Sequence, residues 1–363
     1  MRSDALSRKR SGASVCSFFE GSEGSVGVLH AVISPSTAVT ASAQVGELAS
    51  GYSELCGLYP GFRPVFARFF LSDAANQAVL VGDLAESLGC PVSIVEQAPL
   101  CPSKMNLLVM MESGRKEPSR HIYYTAGAVR RADSHEATVE ILDHYAAGHD
   151  LVGECVRTWF FVNDIDNNYA GMVSGRNDVF GRYGLTPDSH FIASTGIAGR
   201  GVDPGCPVCF DAYAIRGITS GQVTYLKALT HLNPTIEYGV AFERATAVDF
   251  ADRRLVLVSG TASIDNRGEI VHHGDVTGQT RRMVENVEAL LAEAGCSAAD
   301  LMHMIVYLRD PGDYLTVGAE LDRLFPSDVP RVIVHAPVCR PGWLVEMECM
   351  AMRMTDNGRF AEY

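Results

Sequence analysis

The sequence predicts an α+β fold built from three tandem units, each a mixed sheet with helices on one face. Two observations carry that expectation: a phrase recurs along the chain, and each copy follows the same kind of strand. The clearest copy runs Pro330-Arg331-Val332-Ile333-Val334-His335-Ala336-Pro337-Val338-Cys339-Arg340-Pro341, then Leu344-Val345-Glu346-Met347-Glu348. A second is Pro91-Val92-Ser93-Ile94-Val95, Ala98-Pro99-Leu100-Cys101-Pro102 and Leu107-Leu108-Val109-Met110-Met111. A looser third is Ser189-His190-Phe191-Ile192-Ala193-Ser194, followed by Cys209-Phe210-Asp211-Ala212-Tyr213-Ala214.

The preceding runs are 66–71 (FARFFL), 157–162 (RTWFFV) and 303–308 (HMIVYL), whose aromatic and β-branched content favours strands. Each stops at an acidic turn: Ser72-Asp73, Asn163-Asp164 and Arg309-Asp310-Pro311-Gly312-Asp313. Helices fit between. Thr277 to Ala294 places Met283, Val284, Val287, Leu290 and Leu291 at helical spacing, with Gly295 as the stop. Glu136 to Ala147 and Ala43 to Gly57 take the same place in the other units. The order per unit is strands, helix, strand, helix, strand, strand. These elements place units at 20–114, 115–217 and 218–354, with a flexible tail at 1–19 and a tail at 355–363. Joins are expected at Ser113-Gly114-Arg115-Lys116 and Gly217-Ile218-Thr219-Ser220-Gly221.

Composition narrows the function. A net charge of −13 makes the chain a poor counterion for phosphate backbones, so no nucleic-acid partner is expected. No apolar run approaches the roughly 20 residues that cross a bilayer. The basic residues of Met1 to Gly12 precede no apolar core, so no membrane and no secretory signal are expected. Ten cysteines, mainly in apolar contexts such as Cys155 and Cys349, read as reduced thiols of a cytoplasmic protein.

Residues of the third unit carry a resemblance. Leu257-Val258-Ser259-Gly260, Asp275 to Gln279, Glu285-Asn286-Val287, and Arg331 with Glu348 look like the Rid (YjgF-type) reactive intermediate deaminases. That resemblance implies a Rid/YjgF-like fold, with active sites in clefts between three subunits. Three tandem units then suggest one chain that rebuilds the trimer internally, as a monomeric pseudo-trimer or within a homo-oligomer. A second resemblance, to the chorismatases, which carry a Rid-like fold, spans about residues 115 to 353. It rests on Phe242-Glu243-Arg244-Ala245-Thr246, on Val271-His272-His273-Gly274-Asp275-Val276-Thr277-Gly278-Gln279, and on Arg157-Thr158-Trp159 with Ala193-Ser194-Thr195-Gly196-Ile197. It ends with His335, Cys339-Arg340 and Leu344 to Glu348. Phe242 stands where many Rid proteins have tyrosine.

Both resemblances imply a small carboxylate-bearing substrate and no cofactor. Arginine suits that task, because its planar fork holds a carboxylate bidentately and stays charged. The substrate-binding candidates are Arg157, Arg244, Arg331 and Arg340, joined by His335. Glu346 and Glu348 alternate with Val345, Met347 and Cys349, so both acids share one strand face, and one could serve as general acid. By the chorismatase resemblance, Glu348 protonates an enolpyruvyl ether, pyruvate leaves, and Cys339 matches members that yield a hydroxybenzoate rather than a dihydrodiol. By the Rid resemblance, Arg331 clamps a 2-imino acid and Glu348 orients water. A non-catalytic binding protein is the third reading. Cys206-Pro207-Val208-Cys209 lacks a second ligand pair, so no metal is expected. His190 is expected to match Arg331 in the second unit and Asp211 to match Glu348. Val92 and Val109 would fill those places in the first, leaving it silent.

Overall fold

The computed structural model describes residues 5–35, 40–114 and 119–363. The first unit contains β1 (Leu6–Ser11), β2 (Ser14–Phe19), β3 (Val28–Ile33), α1 (Ala41–Leu58), β4 (Phe62–Leu71), α2 (Ala74–Ser87), β5 (Val92–Glu96), β6 (Ala98–Pro99) and β7 (Met105–Ser113). The second contains β8 (His121–Ala128), α3 (Ser134–Gly148), β9 (Cys155–Val162), α4 (Ile165–Arg182), β10 (Ala193–Ala198) and β11 (Val208–Ile215). The third contains β12 (Val223–Leu226), β13 (Ala245–Asp249), β14 (Arg253–Ala262), α5 (Val276–Glu293), β15 (Leu301–Leu308), α6 (Tyr314–Leu324), β16 (Arg331–His335) and β17 (Val345–Met354).

Each unit is the expected mixed sheet. Strand orders are β1-β2-β3-β7-β4-β5, β10-β9-β11-β8 and β12-β13-β14-β17-β15-β16-β6. In every unit one parallel pair (β4 with β5, β9 with β10, β15 with β16) sits beside antiparallel neighbours. The parallel pairs need crossovers, which α2, α4 and α6 supply. The acidic turns after the central strands are where those helices start. Asp73 accepts a hydrogen bond from Asn76 N at the start of α2, and Asp310 caps the short turn that leads into α6.

The tails differ from expectation. Residues 6–19 form a hairpin, because β2 pairs along its whole length with buried β3 and draws β1 alongside. Residues 355–363 carry no helix or strand, yet Tyr363 stacks on His121 at 4.1 Å and its hydroxyl meets Glu112 Oε1 at 3.2 Å. Arg115 and Lys116 of the expected first join lie outside the described residues.

The sheets close on one another in a ring. Strand β6 of the first unit pairs with β16 of the third, β10 of the second packs on β13 and β14, and β5 packs on β8. The pairing registers fix which residues correspond. Leu308 pairs with both His335 and Val345, as Leu71 pairs with Glu96 and Met105, and Val162 with Ala198 and Val208. Counting from these anchors, Glu348 corresponds to Leu108 and Asp211, Glu346 to Asn106 and Cys209, and Arg331 to Val92 and Ser194. The matches of Asp211 and Val92 agree with the sequence reading. His190 is corrected to Ser194, and Val109 to Leu108. The looser copy precedes its strand by four residues, and a one-residue slip moves a side chain to the opposite face.

Candidate active site between the second and third units

Glu346 and Glu348 share a face of β17, about 7 Å apart along the strand, and meet two different environments. Glu348 lies where the three units converge. Arg157 donates to its Oε2 at 2.7 Å and Trp159 Nε1 to its Oε1 at 2.8 Å. Arg68 of the first unit stands 4.0 Å from Glu348 and donates to Asp211 of the second at 2.9 Å. All four charged side chains are buried. Two guanidinium groups against two carboxylates neutralise one another there, and aromatic faces of Trp159 and Phe161 lie 4.9 Å from the Arg68 guanidinium. Glu348 is therefore a structural acid that ties the units together.

Glu346 faces a cavity between the second and third units. It forms no ion pair among the described residues. Gly260 makes room for it, since a Cβ at that position would overlap the Glu346 carboxyl. The local break in β14–β17 pairing between Val258 and Thr261 turns this stretch toward the cleft. Burial, and then the charge of Glu348, push the Glu346 pKa up to about 8 against the pull of Arg157 and Arg244. At neutral pH it is mostly a neutral acid with a proton to give.

Three arginines line the same cavity: Arg176, Arg244 and Arg340. Arg176 comes from α4, whose inward face carries Tyr169, Met172, Arg176 and Val179 at helical spacing. Its side chain is buried, yet its Nε and Nη2 have no hydrogen-bond partner. Guanidinium donors without a protein partner, facing a cavity, suit an anion. Arg244 is anchored by the Asn233 carbonyl at 3.0 Å, and Arg340 lies 4.9 Å from the rings of Tyr238 and Trp343. Cys339 sits beside Tyr169, and burial pushes its thiol pKa up to about 12, so it is a neutral thiol rather than a nucleophile. Thr195 Oγ1, also on the wall, accepts from Gly260 N at 2.9 Å and from Arg157 at 2.5 Å, linking the cavity to the Glu348 cluster behind it.

The predicted set is therefore divided. Glu346, Cys339, Arg244 and Arg340 converge on the cavity. Glu348 and Arg157 lie behind it, and the acid facing the cavity is Glu346. Arg331 is in another cleft, against the first unit, where it pairs with Asp322 near Cys101, Asn106 and Tyr314. His335 lines a further cavity with Glu96, Arg200 and Asp166. The physical reason is the ring itself. In these two clefts the residue at the Arg331 position comes from one unit and the residue at the Glu346 position from another. Arg331 therefore shares its cleft with Asn106, while Glu346 shares its own with Ser194. Arg176 and Tyr169 were not anticipated; an arginine on the otherwise apolar face of α4 was the available signal. No group of three or more His, Cys, Asp or Glu among the described residues could hold a metal, and no described helix is long and apolar enough to cross a membrane.

Comparison with known proteins agrees with the repeat. A family model described as Endoribonuclease L-PSP matches residues 242–353, within the third unit. The 3-aminoacrylate deaminase RutC of Acinetobacter baylyi is 33% identical over 98 residues, which span 27% of this chain and 78% of that protein. The chain belongs to the RutC family. A RutC family protein of Pyrococcus abyssi is 37% identical over 100 residues, again 27% of this chain and 78% of that one. A crystal structure of a chorismatase matches with a TM-score of 0.62 at 20% identity, covering 80% of this chain and 93% of that chain. RutC-family sequence thus accounts for one unit's length, whereas the chorismatase shares the fold over most of the three-unit chain.

Proposed function

We propose that the protein is a chorismatase-type enzyme that cleaves the enolpyruvyl ether of chorismate and releases pyruvate. The observation that carries this reading is a buried Glu346 sharing one narrow cavity with Arg176, Arg244 and Arg340. Chorismate carries two carboxylates, and three arginines can hold both while tolerating a chain of net charge −13. Glu346 gives its proton to the methylene carbon, and the resulting oxocarbenium carbon is attacked by water or by a ring hydroxyl. The attacking water or hydroxyl returns its proton to Glu346. The water adduct then breaks its bond to the ring oxygen and leaves pyruvate and a dihydroxycyclohexadiene acid. The cyclic ketal also breaks the attacking oxygen's bond to the ring; that oxygen leaves as the ketone of pyruvate, and loss of a ring proton gives the hydroxybenzoate. Cys339 at the cavity wall favours a hydroxybenzoate product over a dihydroxycyclohexadiene acid. The enzyme works without metal or cofactor, in the cytoplasm, as a monomeric pseudo-trimer or a homo-oligomer of it, and binds neither nucleic acid nor membrane.

The alternative, hydrolysis of a 2-imino or enamino acid, draws support from the likeness to RutC. In that reading Arg331 and a β17 glutamate act on one substrate, and what favours ours is that Arg331 lines a different cavity from Glu346. Two assays decide between the readings. Purified protein with chorismate should release pyruvate well above the spontaneous rate, measured through lactate dehydrogenase. If a dehydratase generating 2-aminoacrylate gives faster ammonia release instead, and Arg331→Ala abolishes it, the deaminase reading replaces ours. Ligand binding without either reaction would leave a binding protein.

A further inference from the structure

The site cavity is narrow, with room for only a few water molecules, so a ring-sized dicarboxylate enters only if a wall moves. The wall best built to move is the stretch from Asn233 to Arg244, which connects β12 to β13. It closes on itself. Arg244 donates to the Asn233 carbonyl and to Asn233 Oδ1, both at 3.0 Å, and Thr235 Oγ1 donates to the Phe242 carbonyl at 2.5 Å. Ends tied together and a body packed by its own side chains define an Ω-loop, a unit that swings without unravelling. Its inner side carries Tyr238, over Arg340 at 4.9 Å, and Phe242, 5.8 Å from the Arg176 guanidinium.

Its tip is tied to the second unit through Asn177 on α4. Asn177 Nδ2 donates to the Gly239 carbonyl at 2.8 Å, and Ala241 N donates to Asn177 Oδ1 at 3.3 Å. Gly239, whose carbonyl takes the first of these bonds, has φ +80°, a left-handed conformation that only glycine adopts freely. On the loop's outer side lies a second cavity lined by His190, Tyr225, Lys227 and Ile236, which shares Phe242 and Arg244 with the site. Phe242 and Arg244 are thus the partition between an outer chamber and the reaction cavity.

We propose that residues 233–242 are a lid that must lift to admit ligand, its tip latched by the two hydrogen bonds of Asn177 and the outer chamber the route in. Glu243 and Arg244 are its fixed hinge, since Glu243 N donates to the Ile192 carbonyl, Glu243 accepts from Phe191 N and Ser259 Oγ, and the Arg244 carbonyl accepts from Ser259 N. The lid rests on the cleft being the site, but its test needs no turnover. Cys339 lies behind the lid, so its modification rate by methyl methanethiosulfonate, followed by peptide mass spectrometry, reports opening. Cys56 and Cys90 of the first unit serve as references. Asn177→Ala should speed Cys339 labelling by about five- to tenfold, the loss expected for one or two modest hydrogen bonds, and leave Cys56 and Cys90 unchanged. Hydrogen exchange should rise over 234–242 alone. Chorismate should slow Cys339 labelling in the wild type. An unchanged Cys339 rate, or equal acceleration at all three cysteines, overturns the lid. Selective acceleration with no pyruvate formed keeps the lid and removes the chorismatase reading.

Discussion

Replacing Glu346 by glutamine should make the protein more stable and nearly inactive at once. In the folded protein the Glu346 carboxyl keeps its proton to about pH 8, against an ordinary value of 4.5. At pH 7 folding must therefore bind a proton that the unfolded chain has released. The penalty is absent below pH 4.5, grows by about 1.4 kcal/mol per pH unit, and stops growing above about 8, which gives about 3 kcal/mol at pH 7. Glutamine has nearly the same shape and stays neutral at every pH. Urea denaturation should show Glu346→Gln more stable by as much as that amount at pH 7, with the gap closing toward pH 4.5. Loss of the acid should slow pyruvate release by about 10²–10⁴-fold. Wild-type turnover should fall as pH rises through about 8. A stability gap that ignores pH, or undiminished pyruvate release, would refute the assignment of Glu346 as a buried proton donor.

Other outcomes follow from the same geometry. Glu348→Gln removes the charge facing buried Arg157 and should destabilise the protein by about 3–5 kcal/mol, read by chemical denaturation. Among the described residues Arg331 pairs with Asp322 in a partly exposed ion pair, so Arg331→Ala should change stability by less than about 1 kcal/mol and leave pyruvate release unchanged. A tenfold loss of rate would put Arg331 back in the site. His30 and His303 meet Nδ1 to Nδ1 at 2.8 Å in the core, and burial holds His30 down to about 3 and His303 well below its usual range. Their contribution to stability is full above about pH 6.5 and is lost as pH falls, by about 1.4 kcal/mol per pH unit per histidine. Glu346 titrates in both proteins, so the histidines are read from the difference. Between pH 6.5 and 5 the stability of the wild type relative to a His30→Leu/His303→Leu variant should fall by up to about 3 kcal/mol per pH unit, and a pH-independent difference would contradict the assignment.

The sequence was most legible where residues act within one unit. The strand 303–308 and the helix 277–294 are found within two residues of where periodicity places them, because their apolar faces are buried in the unit's own core. The site was half legible. Alternation along β17 puts both glutamates on one face, but which of them meets the arginine cluster depends on how the other two units pack across that face. Arg331 and Arg176 show the same limit from opposite sides. Arg331 follows the family pattern yet faces a different cleft from Glu346, and Arg176 enters the Glu346 cleft from a helix in another unit. The hairpin of residues 6–19 was hidden by the charges of β1, an edge strand on which Arg8 and Lys9 interrupt any apolar alternation.

The central claim is that one cleft, between the second and third units, breaks an enol ether by acid catalysis. Chorismate hydrolysis by the wild type in deuterated water tests it most directly, because the proton from Glu346 must end in the methyl group of pyruvate. The account predicts pyruvate formed well above the spontaneous rate, carrying solvent deuterium in that methyl group, with both signals gone in Glu346→Gln. Pyruvate formed no faster than in buffer alone would contradict it.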